Sequence, residues 1–470
     1  MNAQELILGR VLPIAAAIAV FWIIYRLLFT NSNRLKFNRL YILLSIIRIS
    51  SGIEENRKGH AYLTIIGKDG KPVENAHLRI RQKKHEFKYG ANIFMLDEFP
   101  EAEQNRKYKE YFADAFNLAT LPFYWNTLEP EPGKPRFAKD SPKIYRRPAP
   151  DLCLEFCAAN GITPKAHCLN YAYMSPAWAH GTIEHEKECL DRRFRELGER
   201  YAGRIPDWEV TNETFKTSRP GRLGNFFDQE DYIEWSFAEA ARYFPANNLI
   251  INDDKPHVWS KAHYYRTRSC YYMQIERALR SGIRIDKIGM QFHMFELAED
   301  EQAAAREFYD PERIYDVLDT YARFNRPIQI TEVTIPAYSG TLQDEEIQAE
   351  ILYHLYRMWF SHPAMDAVVY WNLIDGYAHG TVPGDMTSGE NYYYGGLIRF
   401  DFTAKPAFQI IRDLFQKQYH TELELDAPHG EANFKAFYGD YELEIMTASG
   451  ACTRTIHFGK KLWNRFEIQV

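Results

Sequence analysis

From residue 89 onward the chain repeats one alternation: a short apolar run, then a longer segment whose apolar positions recur at helical spacing. The runs are YGANIF, NLATLPFY, TPKAHCL, PDWEVTNE, NLIIND, KIGMQFH, PIQITEV and AVVYWNL, beginning at 89, 117, 163, 206, 248, 287, 327 and 367. Most are too uniformly apolar for strands with one wet face. The intervening DLCLEFCAAN, RRFRELGERYA and YMQIERALRS run to Gly161, Gly203 and Gly282, where helix C-caps are expected. Buried strands alternating with helices predict an α/β fold, a (β/α)8 TIM barrel over residues 89–418. An open doubly wound sheet is the rival, but its glycine-rich phosphate loop, GxGxxG or GxxxxGK[ST], is absent from the sequence.

The flanks have other patterns. Residues 57–88 alternate apolar and polar around Asp69-Gly70-Lys71-Pro72 and predict a small β-hairpin element ahead of the barrel. Residues 419–470, with ELELDA, FKAFYGDYELEIM, TRTIHF and RFEIQV, predict a small C-terminal β-domain packing with that hairpin, as a brace more than a sugar-binding module. Residues 1–56 read as a hydrophobic anchor and linker: the window 11–29 is apolar except for Arg26 and just long enough to span a bilayer. No small-residue cleavage site follows it, so an uncleaved membrane anchor is expected. Arg34, Lys36 and Arg39 beyond it favour a cytoplasmic bulk, whereas degrading a polymer needs the opposite orientation, which leaves the side of the membrane open.

Composition narrows the partners. The 470 residues carry a net charge of −6 with no basic stripe in the main body, which argues against nucleic acid. Aromatics reach 15 %, a fraction that suits sugar-binding walls as well as cores. The six cysteines show neither CxxC pairs nor metal spacing.

In such a barrel the C-terminal strand ends build the active site, and this sorts the acids. In Trp208-Glu209-Val210-Thr211-Asn212-Glu213 only Glu213 stands at the strand end, while Glu209 lies deeper as a structural acid. The seventh barrel strand offers Glu332. Across the mouth, two inward glutamates from these strands leave about 5 Å between carboxyls, the separation of a retaining glycosidase. His167, Asn252, Asp253, Gln291, His293 and Trp371 stand at other strand ends. His167, Asp253, His293 and Glu332 could in principle converge on a metal, but the sequence has no HxH on its first barrel strand, and no metal or other cofactor is expected. The lack of a GxSxG elbow argues still more strongly against a Ser/His/Asp hydrolase.

These motifs resemble glycoside hydrolase family 10, the endo-β-1,4-xylanases, over roughly residues 87–417. The strand-four motif Trp-Asp-Val-Val-Asn-Glu is similar to residues 208–213, which implies Glu213 as acid/base and Asn212 as a contact of the sugar 2-hydroxyl. Ile-Thr-Glu-Leu-Asp is similar to residues 330–334, which implies Glu332 as nucleophile. Gly289-Met290-Gln291-Phe292-His293 resembles Gly-x-Gln-x-His, with His293 expected on the nucleophile and Gln291 at the substrate. His167 and Trp371 match substrate-binding positions of strands three and eight, and Lys405-Pro406-Ala407-Phe408 the closing Pro-Lys-Pro-Ala-Tyr.

Departures fall on the glycone side. Glu-Asn-x-x-Lys-Trp is shortened to Leu121-Pro122-Phe123-Tyr124-Trp125, leaving Trp125 as the expected binding residue. His-Thr-Leu-Val-Trp-His becomes His167-Cys168-Leu169-Asn170-Tyr171-Ala172, and His379 replaces a second tryptophan. The resemblance implies a retaining hydrolase of a β-1,4-linked glycan, xylan or xylo-oligosaccharide, whose Glu213 is kept protonated by the charge of Glu332. The rivals are a membrane-tethered carbohydrate-binding barrel without turnover and a metal-dependent barrel enzyme of another class.

Overall fold

The computed structural model describes residues 33–215 and 224–470. The apolar window 11–29 lies outside them, and no helix among the described residues is long and apolar enough to cross a membrane. The first described helix, α1 (Asn33–Asn56), is more than a linker. Ile49 and Ile53 join the barrel's hydrophobic core, and Arg48 pairs with Asp319 at 2.8 Å.

Strands β1 (Lys58–Ile66) and β2 (Ala76–His85) follow, and the expected hairpin does not form. β1 pairs with β12 (Glu431–Phe437) and β15 (Arg465–Gln469), whereas β2 pairs with β11 (Glu422–Ala427) and β13 (Gly439–Thr447), which in turn pairs with β14 (Gly450–Phe458). The Gly67–Lys71 turn thus carries the chain from one sheet to another. Leu63 and Ile65 from β1 face Leu78 and Ile80 from β2 across a core completed by Phe434, Tyr441 and Leu443. Alternating burial is satisfied equally by any partner strand with an apolar face, and here the tail supplies it.

The barrel closes in the order β10-β3-β4-β5-β6-β7-β8-β9. Its strands are β3 (Lys88–Asn92), β4 (Leu118–Pro122), β5 (Thr163–Asn170), β6 (Asp207–Asn212), β7 (Asn248–Asp253), β8 (Lys287–His293), β9 (Ile328–Thr334) and β10 (Met365–Tyr370). All neighbours are parallel, including the β10–β3 seam that pairs Ala367 with Lys88 and Tyr370 with Ala91. β4, β6 and β9 are buried at every residue, which is why their runs lack alternation. Between strands, helix starts carry their own caps: Thr182 accepts from the His185 N–H, Asp310 from Glu312 and Thr341 from Asp344. Gly161 and Gly282 stop their helices with φ of 63° and 79°, while Gly203 does so without a left-handed turn.

Candidate active site

The strand ends open into a cleft of about 440 Å³ whose lining includes Glu213, Glu332, Gln291, His293, Trp371 and Tyr124. Glu213 is the first residue beyond β6, and its φ of 50° turns the chain sharply there. Its N–H reaches the Asn252 carbonyl on β7 at 3.2 Å. Glu332 sits inside β9, 4 % exposed. A Cβ at Gly289 on β8 would stand 2.7 Å from Asn252 Oδ1, so only glycine leaves the Asn252 amide its place at the centre of the mouth.

One amide joins the two acids. Gln291 Nε2 donates to Glu332 Oε1 at 3.0 Å and to Glu213 Oε1 at 3.1 Å. The two oxygens are therefore no more than about 6 Å apart, short of the roughly 6.5–9.5 Å that leaves room for an inverting enzyme's water. Asn252 Nδ2 also donates to Glu332 Oε1, at 3.2 Å, and His293 Nε2 lies 3.0 Å from its Oε2. Tyr171 donates its hydroxyl to Glu213 Oε2 at 2.7 Å.

Burial pushes Glu332 up to about 8, and the charges of Glu209 and Glu213 add to the effect. His167 and Lys165 work against it. The carboxyls thus hold on to a proton between them near neutrality, as like charges forced into one dry site must. Three convergent donors nevertheless leave Glu332 able to carry the negative charge.

Beneath the pair lies a second buried acid. Glu209 accepts from Lys165 Nζ and contacts His167 Nδ1, and His167 Nε2 is 3.0 Å from the Tyr124 hydroxyl. Burial alone would raise Glu209, but the charges of Lys165 and His167 outweigh it and hold the carboxyl down to about 2. This arrangement fixes His167 and Tyr124 from below. Lys165→Met should destabilise the protein by about 3–5 kcal/mol, because it leaves a buried carboxylate without its cation. Chemical denaturation checks this, and a loss under 1 kcal/mol would show that Glu209 is protonated instead.

Of the residues expected at the site, Asn212, Glu213, His167, Gln291, His293, Glu332 and Trp371 all line the cleft. Trp371 packs edge-on against His167, His293 and Phe94 with ring centroids 5.5, 5.9 and 5.2 Å away. Trp125 does not join them. Its indole N–H donates to Glu129 at 3.0 Å, its ring meets Trp178 at 5.4 Å, and the preceding residue, Tyr124, faces the cleft instead. The residue order after β4 explains the difference: Tyr124 caps a single helical turn, Trp125–Leu128, which rotates Trp125 into the core.

The four residues that could have shared a metal do not form one cluster. Asp253 turns aside to accept from Thr214 N and Oγ1 at 2.9 and 2.8 Å. His167, Glu209 and Glu332 do bring ligand atoms within 4.8 Å of one another, but Lys165 already occupies Glu209 there. Sequence reasoning missed Phe94, Arg146, Arg147, Lys255 and Glu296, which also line the cleft. Arg146 and Arg147 sit in an irregular loop with no periodic signal. Two adjacent arginines among apolar residues and prolines were the only clue.

A closed (β/α)8 barrel with two glutamates from opposed strand ends sharing one amide defines the class of barrel glycosidases. The chain belongs to glycosyl hydrolase family 10, whose family model matches residues 83–414. It is 25 % identical over 344 residues to endo-1,4-beta-xylanase B of Thermotoga neapolitana, covering 71 % of this chain and 88 % of that one. It is 23 % identical over 411 residues to the anti-sigma-I factor RsgI6 of Acetivibrio thermocellus, covering 84 % of this chain but 45 % of that protein. Among solved structures, xylanase 10B from Thermotoga petrophila in complex with xylobiose matches with a TM-score of 0.54 and 22 % identity, covering 71 % of this chain and 95 % of that one.

Proposed function

We propose that the protein is a retaining glycoside hydrolase that cleaves a β-1,4-linked glycan, xylan or xylo-oligosaccharide, by double displacement. The observation that carries this reading is the Gln291 amide held between two carboxyls, which sets them at the separation of a nucleophile and an acid/base. Glu332 attacks the anomeric carbon as the glycosidic C–O bond breaks, and Glu213 gives its proton to the departing oxygen. The resulting glycosyl ester on Glu332 removes the charge that kept Glu213 protonated. Glu213 then takes a proton from water, whose oxygen displaces Glu332 and releases the sugar.

The neighbours fit these roles. Asn212 Oδ1 accepts from Asn252 at 2.8 Å and from Gln291 at 3.2 Å, which turns its own Nδ2 outward as a donor for a sugar hydroxyl. His293 holds Glu332 in place while its Nδ1 rests on Thr334 Oγ1 at 2.9 Å. Trp371 supplies the apolar wall behind the ring. The relatives named as xylanases and the solved xylanase holding xylobiose support xylan as the substrate class.

The test is to treat the full chain with a 2-fluoro-β-xylobioside bearing an activated leaving group and map the mass increase by peptide. The adduct is expected on Glu332. The competing reading is a carbohydrate-binding barrel without turnover. No adduct and no hydrolysis across a panel of β-linked oligosaccharides, with binding retained, would establish that reading and sink the first.

A further inference from the structure

The cleft carries positive charge that the carboxylate pair does not use. Arg146 and Arg147 both line it, 3 % and 5 % exposed, from the loop that precedes the helix Pro150–Ala159. Among the described residues neither guanidinium makes an ion pair, and the Nε of each is buried without a hydrogen-bond partner.

Other buried cations of this protein are better satisfied. Lys165 has Glu209, Lys287 has Asp207 and Asp366, and Lys405 has Asp375. Arg57 and Arg193 lack a carboxylate, but each donates to three backbone carbonyls. Arg146 donates to the Tyr377 carbonyl and, at 2.9 Å, to Asn372 Oδ1. Asn372 in turn donates to Glu390 at 2.6 Å, which places one carboxylate an amide away from Arg146.

The Arg147 guanidinium donates to the Arg146 carbonyl, 2.9 Å from its Nη1, and its Cζ lies over the Tyr124 and Phe94 rings, 4.2 and 5.5 Å from their centroids. Burial draws it down to about 10, so it remains a cation at neutral pH. A buried cation so poorly partnered is expensive to hold. Its neighbour His379 also lines the cleft, exposed at the rim, and is biased towards its neutral form by partial desolvation and by the two arginines.

The position is informative. Tyr124 links Arg147 to His167 and, through a ring contact of 6.3 Å, to the Tyr171 that holds Glu213. The cation thus stands beside the carboxylate pair without touching either acid. A planar guanidinium with unused donors matches a carboxylate better than it matches hydroxyls.

We propose that Arg147, backed by Arg146, binds the carboxylate of a uronic acid unit, so that the glycan this protein selects is acidic. The proposal rests on the hydrolase reading above and names its substrate class. An acidic sugar would otherwise be repelled by Glu213 and Glu332, and the arginines offset that repulsion locally.

The experiment compares, on the full chain, a xylotetraose carrying a glucuronic acid unit with the same oligosaccharide after reduction of that carboxyl to an alcohol. The wild type should show kcat/KM higher by about tenfold or more for the acid, a ratio that shrinks as salt is raised. Arg147→Met, which keeps the bulk over Tyr124, should bring the ratio close to unity. Equal or better turnover of the reduced oligosaccharide by the wild type overturns the proposal. If the variant fails to fold, the ratio and its salt dependence in the wild type decide alone. If neither compound is hydrolysed, the hydrolase reading fails separately, and calorimetry still reads the arginines: tighter binding of the acid supports them and equal binding refutes them.

Discussion

Glu213→Ala is expected to slow hydrolysis of an unactivated xylo-oligosaccharide by about 10²–10⁴-fold, the usual worth of a positioned proton donor. An aryl xyloside with a good leaving group should lose far less in its first step, because that oxygen departs without a proton. Azide should then restore turnover and yield a β-glycosyl azide, since a small anion can replace the base that activates water. The pH profile adds a second signature. In the wild type the last proton shared by the pair leaves near the pH of about 8 to which burial pushes Glu332, so kcat/KM for a natural glycoside should fall above it. Without Glu213 the only requirement is an ionised Glu332, and that alkaline fall should vanish on the activated substrate. Equal losses on both substrates would remove Glu213 from the acid/base role.

Glu332→Gln should reduce turnover to background, on the order of 10⁵-fold or more, because no other group is placed to attack the anomeric carbon. It should also stabilise the fold in a pH-dependent way. A carboxyl raised from 4.5 in the unfolded chain to about 8 in the folded one contributes stability that is complete below 4.5 and lost as pH rises through about 8. The amide has no such loss. Thermal melts should therefore show little difference at pH 4 and a growing advantage for the variant up to pH 8 and above, on the order of 1–3 kcal/mol. A variant less stable than the wild type at pH 8 would mean that Glu332 is held as a settled carboxylate by Gln291, Asn252 and His293. Such a result would show that the shared proton already rests on Glu213 before substrate arrives, where the first step uses it.

The barrel was legible because its strands are buried on both faces and their apolar runs are unmistakable; expected starts at 117, 163, 248 and 287 lie within a residue of β4, β5, β7 and β8. The carboxylate pair was legible for a geometric reason, since only a strand's C-terminal end opens on the mouth. What failed was partner choice. Alternation in β1 and β2 marks a strand with one dry face but does not name the sheet that dries it. Motif position also failed for Trp125, where a single helical turn rotated the neighbouring Tyr124 into the cleft. Arg146 and Arg147 were invisible because irregular loops have no period, so only the assembled mouth shows what they face. The amphipathic face of α1 was weak, and its docking through Ile49 and Ile53 could not be separated from an extension of the apolar leader.

The small sandwich sets the order in which this chain can finish folding. β1 pairs in parallel with β15, residue Ile66 against Gln469, so one of the first strands to be synthesised is completed by one of the last. β2 waits similarly for β11 and β13. Throughout translation of the barrel, both early strands carry bare edges and an apolar face that nothing yet covers, the state most prone to pairing with a neighbouring nascent chain. A release factor acting a few dozen codons early would therefore leave the catalytic cleft's residues all present on a polypeptide still unable to bury its own beginning.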